Sequence, residues 1–262
     1  MSQEDLNEEW LNHPPENECE QERKKSLMYT DKNGERLPAW NPHPGCRFNC
    51  KYCYGPKIYQ RSQCMDCRAF EPHFHPERMN KTFQKGKTYF VESLGDPYFI
   101  DPILFQDILK RLSKFPKSQF MIQSKSPACF TDTRSCGRLR IPENVWLGTT
   151  IETNFNRLAR GFSKAPGILQ RCHALRKAQE EYPELHFYLT FEPIMIFDLC
   201  SMLEIARWLD VDAVYIGRDN HGHHLPEPAE WELKVLVRLL QEQLGPDRVH
   251  TKTLGPAWWE RK

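Results

Sequence analysis

The chain has 262 residues, long enough for one domain with a sizeable core. Its 36 lysines and arginines balance 35 acidic residues to a net charge of +1, which excludes a broad basic field for nucleic acid or an acidic membrane and leaves room only for a local patch. No apolar run can span a bilayer, the opening Met-Ser-Gln-Glu-Asp lacks a charged-then-apolar signal, and ten clustered cysteines point to metal in a reducing cytoplasm rather than to a disulfide framework.

Residues 1–30 are polar and mostly acidic, and read as an N-terminal extension or a loosely docked lid. Residues 31–262 read as one folded domain. Strands are expected at 37–41, 88–93, 119–124, 145–151, 186–191, 213–217 and 249–253. Helices are expected at 103–115, where Ile103, Ile108, Leu109 and Leu112 follow helical spacing, and at 168–182, entered through Pro166 and Gly167. Two more are expected, at 199–209 and at 231–244, the latter between Pro226, Pro228 and Gly245. Strands alternating with helices imply parallel β/α units with right-handed crossovers. The expected fold class is α/β, a partial or near-complete (β/α) barrel of six to seven parallel strands.

In such barrels chemistry sits at the C-terminal ends of the strands. Those ends read Ser93-Leu94-Gly95-Asp96, Gln123-Ser124-Lys125, Thr150-Ile151-Glu152-Thr153-Asn154, Phe191-Glu192-Pro193 and Gly217-Arg218-Asp219-Asn220. A polar ring at one mouth is what a charged, ribose-bearing cofactor needs. The first strand instead leads into Cys46, Cys50 and Cys53, spaced C-x3-C-x2-C with Tyr52 before the last cysteine. Three thiolates on one turn can hold three corners of a cubic iron–sulfur cluster, which normally takes four. The missing ligand leaves one iron open to bind a molecule and pass it an electron. The alternative is a zinc site lacking one ligand.

This spacing, with an aromatic in that place, resembles the radical S-adenosylmethionine superfamily. The resemblance implies a 4Fe–4S cluster whose open iron is chelated by the amino and carboxylate groups of S-adenosylmethionine. It implies reductive cleavage to methionine and a 5′-deoxyadenosyl radical, which takes hydrogen from a substrate. The wider set of motifs is similar to the phage-associated three-cysteine-motif branch. It runs from Trp40-Asn41-Pro42 through His75-Pro76-Glu77-Arg78, Val91-Glu92-Ser93-Leu94-Gly95-Asp96 and Val145-Trp146-Leu147-Gly148 to Ile216-Gly217. The branch implies a barrel of the radical S-adenosylmethionine type and names no substrate. It often carries Gly-Gly-Glu-Ser after the sixth strand, where this chain has Gly217-Arg218-Asp219-Asn220.

On this resemblance Ser93, Gly95 and Asp96 are expected around the methionine ammonium, and Lys125 on the methionine carboxylate. Thr150 and Glu152 are candidates for the ribose hydroxyls. Glu192 follows an apolar strand and needs a partner, either the cofactor or Arg218. Arg218 is the candidate carboxylate-binding cation near the cofactor. A cellular donor such as flavodoxin or ferredoxin would supply electrons. The substrate is unidentified, with nucleotide or nucleic acid as candidates, and no membrane partner is expected.

Cys64 and Cys67 form a second pair, followed by His73 and His75, a set that suits tetrahedral zinc. An auxiliary cluster with Cys19 or Cys136, or two free thiols, are the alternatives. His221, His223 and His224 suggest a metal, a solvated loop or the substrate side of the mouth. Cys129, Cys136, Cys172 and Cys200 lack ligand spacing; Cys172 and Cys200 fall in expected helices as small apolar groups. Trp258 and Trp259 are expected to seal the barrel, and Arg134, Arg138 and Arg140 to form a solvated basic loop. Two rival readings follow: a zinc-stabilised nucleic-acid-binding module, and a nucleic-acid repair or modification lyase using the same radical chemistry.

Overall fold

A computed structural model describes residues 37–132, 137–252 and 254–261 of the chain. The expected N-terminal extension, Cys19, Arg134 and Cys136 lie outside the described residues. Seven strands form one parallel sheet in chain order: β1 (Ala39–Trp40), β2 (Thr88–Val91), β3 (Gln119–Gln123), β4 (Val145–Thr150), β5 (His186–Phe191), β6 (Ala213–Ile216) and β7 (Val249–Thr251). Register runs through Trp40 against Val91, Ile122 against Leu147, Thr150 against Thr190 and Ile216 against Thr251. All seven expected strands are present, most ending a residue or two before the polar groups that begin the mouth loops.

Seven α-helices among the described residues join them: α1 (Gly55–Tyr59), α2 (Met65–Ala69), α3 (Pro102–Ser113), α4 (Asn156–Phe162), α5 (Ile168–Glu181), α6 (Leu199–Leu209) and α7 (Glu230–Leu244). Strand order that never reverses sends every right-handed crossover to the same face. The helices therefore cover one side, and the other becomes the interior of a partial barrel.

Period-two alternation sorts the side chains between these faces. Val91, Ile122, Leu147, Leu189, Val214 and Ile216 face the helices and pack into the main core. There they meet Ile108, Leu109 and Leu112 of α3, Leu175 of α5, Met202 of α6 and Leu236 of α7. Each such burial is worth roughly 1.5–3 kcal/mol. The intervening residues Phe90, Met121, Tyr188 and Ala213, with Trp146 and Tyr215, form a separate inner cluster.

Helix α3 begins at Pro102 and is capped by Asp101, whose carboxylate accepts from the backbone N–H groups of Ile103 and Leu104. Ile103 is 56% exposed, against its expected place on the apolar stripe. Phe105 takes that place, because residues 105, 108, 109 and 112 share a face that 103 lies almost opposite. Cys172 is buried in α5 as expected; Cys200 is exposed, because it sits in the first turn of α6 on the side away from Met202.

The barrel interior is filled rather than hollow. A Cβ at Gly148 would stand 2.5 Å from the Tyr188 ring. Gly148→Leu is therefore expected to destabilise the fold by about 1–3 kcal/mol through overpacking, read as a lower urea midpoint at unchanged slope. An unchanged midpoint would show that Tyr188 moves aside freely.

Candidate active site at the carboxyl ends of the strands

The short strand β1 ends at Trp40, and the chain runs over the end of β2 into the cysteine loop. Asn41 fixes this passage: its side-chain oxygen accepts from the Leu94 N–H at 2.8 Å and from the Ser93 hydroxyl at 3.3 Å. Gly45 pairs with Gly95 in a parallel bridge and donates to the Leu94 carbonyl at 2.9 Å. Both glycines are needed. Gly45 has φ +98°, and a Cβ there would overlap the Glu71 carbonyl, while a Cβ at Gly95 would meet the His43 carbonyl at 2.7 Å. The Ser93-Leu94-Gly95-Asp96 segment thus lies directly against the loop that carries the cysteines.

That loop is pinned from both sides. Lys51 donates to the Phe162 carbonyl at 2.9 Å, and Lys164 to the Phe48 carbonyl at 2.7 Å, which ties it to the end of α4. Phe48 packs on Phe99 and Tyr98, with centroids at 4.7 and 5.6 Å. Cys46, Cys50 and Cys53 are all free thiols, and the Cys50 sulfur lies 3.1 Å from the Ser163 hydroxyl. Burial pushes the Cys46 thiol well above its usual range, with Asp96 adding to the effect. Burial likewise lifts Cys53 to about 11. Cys50 and Cys53 add to the rise at Cys46. Three partly buried cysteines on one short loop are a donor set that a bound cation would convert to thiolates. The donor chemistry therefore fits an iron–sulfur cluster held by three cysteines.

Tyr52 connects this loop to the far side of the mouth. Its hydroxyl donates to Glu152 Oε1 at 2.6 Å, and its ring packs with Met195 and Leu225. Glu152 is buried and is the hub of a charged network. Its Oε2 receives Arg171 Nη1 at 2.8 Å, and Oε1 receives Lys125, whose Nζ also donates to the Tyr52 hydroxyl at 3.0 Å. Burial alone would raise the Glu152 pKa; Arg171 and Lys125 outweigh it and hold the group down at about 2. Two cations around one carboxylate leave a net positive charge on this wall of the mouth.

Several expected cofactor contacts are engaged within the protein. Asp96 accepts from the Ser124 hydroxyl at 2.6 Å, the Lys125 N–H at 2.9 Å and the Tyr98 N–H at 3.0 Å, so its carboxylate ties the end of β2 to the end of β3. Burial still raises its pKa. Thr150 donates to the Glu192 carbonyl at 3.0 Å, and Lys125 and Glu152 hold each other. Glu192 pairs with Lys252, whose Nζ lies 3.0 and 2.8 Å from its two oxygens. The expected Glu192–Arg218 pair is thus corrected. Arg218 is buried and engages the Glu227 carboxylate at 3.3 Å and the Gly255 and Pro228 carbonyls at 2.7 and 2.8 Å.

Of the three histidines after β6, His221 and His223 lie with ring centroids 5.9 Å apart, and each of the three has its own further partner. His221 stacks on Tyr54 at 5.2 Å, His223 bonds Asp219 at 2.9 Å, and His224 meets the edge of Trp258. Trp258 and Trp259 donate their indole N–H groups to the Leu225 and Glu227 carbonyls, so they clamp the segment after β6 at the mouth's rim while staying half exposed. Lys252, Arg171 and Ser163 were missed in the sequence. Lys252 follows the last strand directly, so the strand-end rule could have found it. Arg171 and Ser163 lie in a helix and a helix exit and carry no such signal.

Glu92 is a further buried acid under the loop. Its Oε1 accepts the His43 N–H at 2.8 Å, and its Oε2 has no partner among the described residues. Burial raises its pKa to about 8. Folding therefore takes up a proton, and the stability that this proton confers is full below the ordinary carboxylate value and lost as pH rises towards 8. Glu92→Gln should flatten the fall of the unfolding midpoint between pH 5 and pH 8. An unchanged slope would show that Glu92 is ionised in the fold.

Residues 26–176 match the model of a family described as Protein of unknown function (DUF5131), which is more than half of the chain. The chain belongs to this family. No curated protein matches it in sequence. Among solved structures it is similar to a spore photoproduct lyase mutant at 9% identity and TM-score 0.56, covering 81% of this chain and 75% of that one. It is similar to SuiB of Streptococcus suis bound to the precursor peptide SuiA, at 9% identity and TM-score 0.54, covering 83% and 50%. It is also similar to HydG, a maturase of the [FeFe]-hydrogenase, at 12% identity and TM-score 0.52, covering 80% and 50%. This member of the family thus shares the fold of these solved structures, and it spans about half the length of the SuiB and HydG chains. No helix among the described residues is long and apolar enough to cross a membrane.

Proposed function

We propose that this chain is an enzyme that holds a 4Fe–4S cluster on Cys46, Cys50 and Cys53 and uses it on S-adenosylmethionine. The carrying observation is the placement of three free, partly buried thiols on the loop after the first strand of a seven-stranded parallel sheet. When bound, such a cluster supplies one electron to S-adenosylmethionine at its open iron and yields methionine and a 5′-deoxyadenosyl radical. A structure of SuiB, one of the proteins with this fold, is described as bound to S-adenosylmethionine.

The chain's own residues would bind, orient and exclude water. Tyr52 and Phe48 are the buried aromatics of the cysteine loop, and the Ser163 hydroxyl stands against the Cys50 sulfur. Lys125 and Arg171 keep the far wall cationic while Glu152 fixes Tyr52. The Ser93–Gly95 backbone, packed edge-on against the loop, is the proposed seat of the methionine ammonium. Asp96 acts by holding that backbone rather than by direct contact. Exchange of Lys125 from Glu152 to a bound carboxylate would leave Arg171 as the partner of Glu152, so the network can release one cation without orphaning its anion. Thr150, Glu192 and Arg218 are proposed to shape the mouth.

A flavodoxin or ferredoxin is the proposed electron donor. The likeness in motifs to three-cysteine-motif proteins supports the same cofactor chemistry. A nucleic-acid repair or modification lyase is a narrower form of this reading, supported by the similar lyase structure described with a dinucleoside spore photoproduct. The binding-module reading accounts for Cys64 and Cys67 but gives the seven-stranded frame no task. The testing experiment is anaerobic incubation of the reconstituted, reduced protein with S-adenosylmethionine. Formation of 5′-deoxyadenosine is expected, and its absence from a cluster-replete sample would overturn the reading.

A further inference from the structure

A second group of metal-ligating side chains lies on the outer side of the cysteine loop and is not used above. Cys64, Cys67, His73 and His75 bring their ligand atoms to within 4.8 Å of one another. His73 Nε2 is 3.4 Å from both sulfurs, His75 Nε2 is 3.3 Å from the Cys67 sulfur, and the two Nε2 atoms are 2.8 Å apart. We propose that these four residues bind one structural zinc ion that locks the platform of the cysteine loop.

The geometry argues for an ion at the centre. Zinc bonds of about 2.3 Å to sulfur and about 2.0–2.1 Å to nitrogen give ligand separations of roughly 3.3–3.8 Å in a tetrahedron. Three sulfur–nitrogen distances already fall there, at 3.3–3.4 Å, and the two nitrogens at 2.8 Å would part slightly. The tautomers point the same way. His73 Nδ1 faces the Glu71 carbonyl at 2.7 Å, and His75 Nδ1 faces the Glu77 carboxylate at 2.7 Å. Each acceptor receives a hydrogen bond from Nδ1–H, which leaves Nε2 of both rings as the atom that faces the sulfurs and can coordinate. A cation between them would be held by four bonds. Imidazoles whose other nitrogen is held by a carbonyl or carboxylate are the usual outer shell of a zinc site.

The donor arrangement also selects the metal. A two-iron cluster on two cysteines and two histidines places the sulfurs on one iron and the nitrogens on the other, which separates the pairs. Here each nitrogen lies beside a sulfur, so the four atoms converge on one point. Mixed thiolate and imidazole ligands in a tetrahedron favour zinc. Four protein ligands close the shell, which is the structural rather than the catalytic form. Cys67 is the only buried side chain of α2, and Met65 beside it is 75% exposed, so a metal would replace the core this segment lacks.

The consequence reaches the other cysteines through the backbone. Cys46 donates to the Phe70 carbonyl at 3.1 Å, His73 to the Pro44 carbonyl at 3.1 Å, and His75 to the Pro42 carbonyl at 2.8 Å. The zinc segment thus pairs along residues 42–46, and Gly45 packs flat on Glu71.

The test uses the full chain carrying Cys46→Ala, Cys50→Ala and Cys53→Ala together, so that its outcome does not depend on the iron–sulfur reading. After incubation with zinc and gel filtration, this variant should retain about one zinc per chain, with two sulfur and two nitrogen neighbours by zinc-edge X-ray absorption. Adding Cys64→Ser and Cys67→Ser should remove that zinc. If the added substitutions prevent folding, cobalt added to the metal-free triple variant must give the intense visible bands of a tetrahedral thiolate site. A triple variant that holds no zinc, a different ligand set, or zinc retained without Cys64 and Cys67 would overturn the proposal.

Discussion

Cys50→Ala is expected to abolish reductive cleavage of S-adenosylmethionine and to leave the reconstituted chain without a stable cubane cluster. Three ligands are already one fewer than such a cluster normally has, so a further loss leaves two. Cys50 also sits between Ser163 and the Tyr52–Glu152–Arg171 network, so no other described cysteine can take its place. Cys200→Ala is the control, because that thiol is exposed on α6 and touches none of this. Iron and sulfide content together with 5′-deoxyadenosine yield would check both. Full activity in Cys50→Ala would remove the cysteine loop from the mechanism.

The largest expected effect on stability belongs to Glu152. Glu152→Ala leaves Arg171 and Lys125 with no carboxylate between them, and Arg171 is only 1% exposed. Breaking a buried pair in this way costs about 3–5 kcal/mol. The pH dependence follows from the depressed pKa. The ordinary value is 4.5 and the folded value about 2, so the stabilisation is complete above 4.5 and lost as pH falls towards 2. That difference corresponds to about 3 kcal/mol for a buried group. Unfolding midpoints of the wild type should therefore drop steeply below pH 4.5, and those of Glu152→Gln should drop less. Equal slopes would mean that the carboxylate contributes nothing through its charge.

Much of this architecture is legible in the sequence because its signals are local. Short continuous apolar runs at 119–123 and 186–191 specify strands buried on both faces, and the four long helices carry apolar stripes with proline or aspartate at or just before their starts. Helices α1, α2 and α4 span only five to seven residues, too short for a 3.6-residue period to declare itself. The strand-end rule brings Lys125, Glu152 and Glu192 to one mouth, but it cannot say which partner each takes. Glu192 chooses Lys252 over Arg218 because Gly217 lets its carboxylate lie over the end of β6, where a Cβ would come within 2.9 Å. Arg218 meanwhile is drawn to Glu227 on the segment leading into α7. Such choices depend on loop paths that no local pattern encodes. All four members of the proposed zinc set are legible, as Cys64 and Cys67 followed by His73 and His75; what local pattern does not encode is the path along residues 42–46 that brings them together.

The most direct test of the central claim is electron paramagnetic resonance of the anaerobically reconstituted and reduced protein, recorded with and without S-adenosylmethionine. The account predicts a reduced cubane signal that changes when the cofactor is added, as an open iron requires. A signal indifferent to S-adenosylmethionine, or no cluster and zinc on Cys46, Cys50 and Cys53 instead, would contradict it.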